Sequence, residues 1–410
     1  MTNAPTPDRR TVIAGAAAAA FTACESPDVK PASKPSAGPA VAVIGAGMAG
    51  SAAAMHLARR GARVTLFDQY AYGHDRGSSH GATRLFRIAY FEHPDYVPIL
   101  QRAYTLWKAL ENDAGEKLFY ETGVLQAGSP SGGFMQGLAK AVVDHGLRVP
   151  QLDAAEIARD HPQLKLPAHF IAYFEREAGF VMAGKTIQHQ IRLAKAAGAN
   201  LRPETPVTGW TPSTDGIVVE TEAGPQTFDY AVITAGAWAN NLLNLPAADV
   251  KPWPRTLFWR RPQTDGFSLG QFSCFAVEEE DGRFFYGFPA IDDDGVKIAE
   301  HSGGAAIARP EDRGDEAEPG ESEEIDAFLR ARIPALAGQP GKFQRCLYEV
   351  SADHHFLIDR HPLSDRVVFA AGLSGHGFKF SPVLGEALAS MALDGETPRH
   401  FKFLSLARFA

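Results

Sequence analysis

Cysteine is scarce in this chain. Three thiols, Cys24, Cys274 and Cys346, stand far apart among 410 residues and form no CxxC pair, which argues against a disulfide framework and a cysteine-built zinc site, and no metal is expected. Positive charge is not in excess: 40 Lys and Arg stand against 48 Asp and Glu, a net charge of -8. A basic footprint for nucleic acid is therefore missing. Hydrophobic residues make up 45% and charged residues 21%, enough to bury a large core and to build two domains.

The first thiol belongs to an address. Paired Arg9 and Arg10 precede an apolar run of small residues that ends at Ala23 and Cys24, the order of a secretion signal. The run is shorter than the roughly 20 residues that cross a bilayer. The arginine pair resembles a twin-arginine export signal, and "FTAC" resembles a lipobox whose cysteine becomes lipid-anchored, although Phe21 stands where Leu is usual. Residues 1–24 are thus expected to be a signal and Cys24 the mature N-terminus of a periplasmic or membrane-anchored protein. The alternative is an Ala-rich helix on a cytoplasmic protein. Residues 25–39, rich in Pro, Ser and Ala, read as an unstructured linker.

From Ala40 to Gln69 the order is strand, Gly-rich turn, helix, strand. Val41–Ile44 is wholly apolar, as in a strand covered on both faces of a parallel sheet. Gly45, Gly47 and Gly50 form GxGxxG: a tight turn, room for a pyrophosphate, and close helix packing. A second strand over 63–67 ends in Asp68, placed to accept ribose hydroxyls. The fragment by itself fits NAD or FAD. Two later strand-like runs also end in glycine, one at Gly236 and one at Gly372, Gly375 and Gly377. Three such ends spread over the chain favour FAD, a long cofactor touched by distant segments.

Four stretches, "GSSHGATRLFRIAY" from Gly77, "YGFPAIDDDGVKIAEH" from Tyr286, "CLYEVSADHHFLIDRHP" from Cys346 and "GLSGHGFKFSPVLGE" from Gly372, resemble the monomeric sarcosine oxidase and N-methyltryptophan oxidase family of D-amino-acid-oxidase-type flavoproteins. The resemblance implies an α/β fold in which a glutathione-reductase-type, Rossmann-like FAD domain is joined to an α+β substrate domain with an antiparallel sheet. It implies oxidation of a secondary amine to an imine, with O2 as acceptor and H2O2 as product. The FAD domain is expected from residues 40–95, 165–247 and 341–395, the substrate domain from 96–164 and 248–340, and the protein is expected to be a monomer.

By the same resemblance Cys346 bonds covalently to the flavin, and Arg345 beside it is the cation expected to favour its thiolate. Cys274, in apolar "FSCFAV", is expected in the core. Arg87 and Lys379 match a pair that holds the substrate carboxylate, with Tyr348 and His376 beside them. Arg84, taken as one helical turn before Arg87, matches an arginine near the ring, and Lys297 matches a lysine that activates oxygen by its positive charge. His301 and Tyr286 complete the expected catalytic set. Ser78, Ser79, His80 and Val207 join the glycines and Asp68 as cofactor contacts. Two departures stand out: Ala82 where an acid is usual, and Asp292, Asp293 and Asp294 on the approach to Lys297. A dehydrogenase that delivers electrons to a quinone or carrier protein is the alternative activity, and a tethered binding protein without catalysis is a third.

Overall fold

The computed structural model describes residues 38–339 and 341–410. Arg9, Arg10 and Cys24 lie outside the described residues. Ala40–Ile44 pairs in parallel with Arg63–Phe67 on one side and Tyr230–Ile233 on the other. Val41, Ala42 and Val43 are fully buried, because helices cover one face and a three-stranded antiparallel sheet lies against the other. Asn200–Arg202, Leu357–His361 and Ser364–Ala371 complete a six-stranded sheet.

Helix Met48–Arg59 is rich in small residues and almost wholly buried. A Cβ on Gly385 would lie 2.5 Å from Ala52, so glycine lets helix Ser381–Asp394 press backbone against backbone. That second helix starts with Pro382, where a missing N–H costs nothing, and stops at Gly395 in the left-handed region.

The second large sheet has eight strands, in the order Phe343–Val350, Lys251–Arg260, Val296–Glu300, Phe284–Phe288, Cys274–Glu278, Val124–Gly128, Ile171–Glu175 and Gln151–Leu152. Its pairings are antiparallel except that between Cys274–Glu278 and Val124–Gly128. Helix Glu321–Arg332 covers one face, with Phe328 stacked on Phe285 at 4.2 Å between ring centres. The described residues fall within one compact unit.

Local details differ from the expectations. Ile171–Glu175 and Phe343–Val350, expected with the FAD-binding segments, pair instead in the eight-stranded sheet. Arg84 lies on strand Thr83–Phe86 rather than on a helix, because pairing with Gly179–Met182 holds that segment extended. Arg87 follows the end of the strand, so no helical turn links the two arginines. Cys274 is fully buried, as expected.

Candidate active site

Two adjoining cavities open where the sheets meet. The larger is walled by the Gly-rich turn, Asp68, the 77–81 loop, Val207, Gly236 and the 375–378 turn. Gly45 has φ +97° and Gly375 φ +78°, conformations that side chains with a Cβ rarely adopt. A Cβ on Gly50 would stand 1.8 Å from the Gly45 carbonyl oxygen, which fixes close packing of turn on helix. Asp68 accepts from Ala46 N at 2.8 Å and Tyr70 N at 2.9 Å, so its carboxylate is held by the turn beside it. Ser79 Oγ accepts from Met48 N at 3.1 Å, satisfying a free donor of the helix start.

Several polar atoms in this wall have no protein partner: Ser78 Oγ, both ring nitrogens of His80 and Glu349 Oε2. Buried polar atoms without partners call for a polar ligand. A glycine-built cradle ending in a carboxylate, with unmet donors and acceptors along it, fits FAD. Burial, with Arg84 adding to it, lowers the His80 pKa to about 3, so its ring is neutral.

The smaller cavity shares Arg84, Tyr348, Gly375 and Phe378 with the larger one. Arg87, Lys379, Tyr286, His301, His376 and Cys346 all reach its wall, beside apolar Leu257 and Phe284. The structure thus brings together residues from six separated segments. Arg84 donates to the carbonyls of Ser78, His80 and Thr83 at 2.6–2.9 Å. Arg87 is 4% exposed and pairs with Glu92 at 3.0 Å, with its guanidinium carbon 4.5 Å from the Tyr90 ring centre.

Lys379 donates to His376 O at 2.7 Å and to Tyr90 Oη at 3.4 Å. Burial, with Arg87 adding to it, lowers the Lys379 pKa to about 7. Tyr90 Oη lies 2.6 Å from His376 Nδ1, while His376 Nε2 lies 3.1 Å from the His354 carbonyl. A carbonyl can only accept, so Nε2 carries the proton and Nδ1 accepts from Tyr90. Both His376 nitrogens are therefore occupied: the ring walls the cavity but has no free nitrogen for a substrate. His301 Nδ1 meets Tyr348 Oη at 3.2 Å, and burial lowers the His301 pKa to about 3.

Cys346 is 2% exposed. Arg345 is not its activator, because neighbours on a strand face opposite ways. Arg345 instead binds Thr256, Glu318, Glu321 and the Arg313 carbonyl at 2.9–3.2 Å. Lys297 donates to Thr83 O at 2.8 Å and lies 4.8 Å from the Phe288 ring centre. Burial and then Arg84 push its pKa well below the usual lysine value. Lys297 lines neither cavity, and among the described residues the cation that lines both is Arg84.

Sequence reasoning missed Glu92, Tyr90 and Glu175. Glu92 lies only five residues after Arg87, and an acid so near a carboxylate-binding arginine was a readable signal. Glu175 accepts from Ile88 N at 2.7 Å and Ala89 N at 3.1 Å, holding the backbone beside Arg87. Burial raises its pKa to about 7. Nothing in the sequence joins it to a segment 86 residues away.

Residues 40–391 match the family described as "FAD dependent oxidoreductase". The N-methyl-L-tryptophan oxidases of Yersinia pestis (strain Pestoides F) and Yersinia pseudotuberculosis (serotype O:1b) are each 35% identical over 370 residues, 90% of this chain and 98% of theirs. Among solved structures, NikD, an amino acid oxidase of nikkomycin biosynthesis, is similar in fold with a TM-score of 0.79 at 23% identity, covering 90% of this chain and 97% of its own. Glycine oxidase from Geobacillus kaustophilus gives 0.75 at 19%, covering 90% and 99%.

Proposed function

From the premise that the chain belongs to the FAD dependent oxidoreductase family and acts on CH–NH bonds, we propose that its substrate is an N-methyl or cyclic secondary amino acid. The observation that carries this reading is the Arg87 and Lys379 pair, buried in a cavity that adjoins the cofactor cradle. Buried cations of this kind are suited to a carboxylate. Relatives whose name specifies an N-methyl amino acid add support.

In this reading the substrate carboxylate takes the place of Glu92 on Arg87. Lys379 takes up a proton as the anion arrives. Leu257, Phe284 and Phe91 exclude water from the reacting carbon. His376 has both ring nitrogens occupied, His301 has its Nδ1 against Tyr348, and burial makes both rings weak bases, so in this reading the amine reacts in its unprotonated form. Bound FAD supplies the hydride acceptor, and the imine is the product.

O2 is the proposed electron acceptor, with Arg84 the positive charge beside the reaction. The engagement of Lys297 by Thr83 favours the second reading, transfer to a quinone or carrier protein. Cys346 is proposed to tether the flavin through a thioether at its 8α carbon: an S–H and a C–H bond are replaced by S–C, two electrons passing through the flavin to O2 with the two protons. Export is proposed from Arg9, Arg10 and the apolar run after them. An exported enzyme would not readily regain lost FAD.

Anaerobic bleaching of the yellow protein by sarcosine, N-methyl aromatic amino acids, proline or pipecolate tests the substrate class. No bleaching by any of them would refute it. About one peroxide per substrate supports O2, and little peroxide supports the second reading. Denatured wild type is expected to keep its colour and Cys346→Ser to lose it.

A further inference from the structure

Glu349 lies three residues after Cys346 and is 3% exposed. It lines the larger cavity with Tyr348, Leu373 and Gly375, and its Oε2 has no hydrogen-bond partner. A buried carboxyl oxygen left open is costly, and a ligand that meets it removes that cost. Its position in the cavity says which part of FAD it meets. Tyr348 and Gly375 also line the smaller cavity, whereas Asp68 lines only the larger. Glu349 itself lines only the larger cavity, but its carboxyl accepts from the Leu373 and Gly372 N–H groups and its carbonyl from Ser374 N at 2.7 Å, next to Gly375. With Asp68 suited to the adenosine ribose, Glu349 stands toward the junction of the two cavities, the flavin end.

We propose that the Glu349 carboxyl is a direct hydrogen-bonding partner of bound FAD at its flavin end, and that its proton tunes how readily the flavin accepts electrons. This goes beyond the amine-oxidation reading and needs only that FAD binds. Burial raises the Glu349 pKa to about 8, with the N–H groups of Leu373 and Gly372 pulling partly back. At neutral pH the group is thus an acid able to donate, where an ordinary glutamate only accepts. A neutral donor favours the negative charge gained on reduction, and an ionised carboxylate opposes it.

Other titratable or charged groups surround it. Asp68, His74, His80, Arg84 and Tyr348 line the same cavity. Lys251 and Arg255 lie on the strand paired with its own, Glu311, Asp312 and Arg313 on the short helix packed against it, and His376 on the neighbouring turn. Arg345 and Cys346 share its strand. The large burial effect on Glu349 sets its titration apart: Tyr348 is raised well above the ordinary tyrosine value and His80 is lowered to about 3.

The test uses the FAD-loaded full chain and chemical reduction with dithionite, so it is independent of any amine substrate. The visible spectrum of oxidised wild type is expected to show a one-proton step near pH 8 that Glu349→Gln lacks. Potentials of the two proteins should agree below the step and diverge above it, wild type becoming harder to reduce. A step that persists in Glu349→Gln, or no step in wild type, overturns the proposal. Where Glu349→Gln fails to fold or to hold FAD, redox-difference infrared spectra of wild type and Glu349→Asp decide. A protonated-carboxyl band that responds to flavin reduction and moves in Glu349→Asp supports the proposal; a band absent or unmoved overturns it.

Discussion

In the larger cavity the walls that matter most are backbone: the Gly45–Gly50 turn, Gly236 and the 375–377 turn. In the smaller cavity they are side chains, and several of those are ionisable groups held nearly out of water, Arg87, Lys379 and His376, with His301 half-buried beside them. The difference teaches which errors each region tolerates. A backbone cradle is damaged first by bulk. A buried charge cluster is damaged by the loss or misplacement of one proton or one partner.

The largest effect should follow from Gly50→Val, since even a Cβ there stands 1.8 Å from backbone oxygen. Overpacking against backbone costs about 3 kcal/mol or more. The expected outcome is colourless or unfolded protein, read by flavin absorbance and thermal unfolding. A yellow, stable Gly50→Val protein would break the comparison on its backbone side.

Arg87→Ala should strike the other region alone. Truncating one partner of a buried, hydrogen-bonded charge pair at a binding site costs about 2–5 kcal/mol of binding, so kcat/KM should fall on the order of a thousandfold, while FAD stays bound. Glu92→Gln sharpens the same point in the opposite direction. It frees Arg87 from its 3.0 Å partner, and KM should fall by about tenfold, a gain on the scale of one charge-assisted hydrogen bond. A rise in KM would mean that Glu92 positions Arg87 rather than competing for it.

The same contrast explains what could be read from the sequence. Gly45, Gly47, Gly50 and Asp68 were legible because a backbone cradle requires glycine at fixed spacing and a carboxylate after the next strand. The charged residues were legible only as a list. Their states depend on neighbours brought from elsewhere: Tyr90 is what occupies His376, and Thr83 is what turns Lys297 aside. Arg345 looked like the cation for Cys346 because it is adjacent in sequence, and strand alternation sends it to the opposite face. Adjacency misleads wherever the period of the element is unknown, as it also did for Arg84 and Arg87.

The smallest effect, and the finest probe of the charged region, is the pH dependence of carboxylate binding at Lys379. The free lysine is lowered to about 7 by burial and by Arg87, and a bound carboxylate must raise that pKa because it favours the ammonium. Affinity is therefore full below pH about 7 and falls by up to about tenfold per pH unit above it until the bound-state pKa is reached. A monocarboxylate without an amine, such as propionate, isolates this from titration of the substrate nitrogen, with flavin absorbance reporting occupancy. Lys379→Arg keeps its charge throughout the range and should flatten the curve. If wild type and Lys379→Arg lose affinity in parallel, the proton lies elsewhere in the cluster, and Lys379 does not carry the charge that meets the anion.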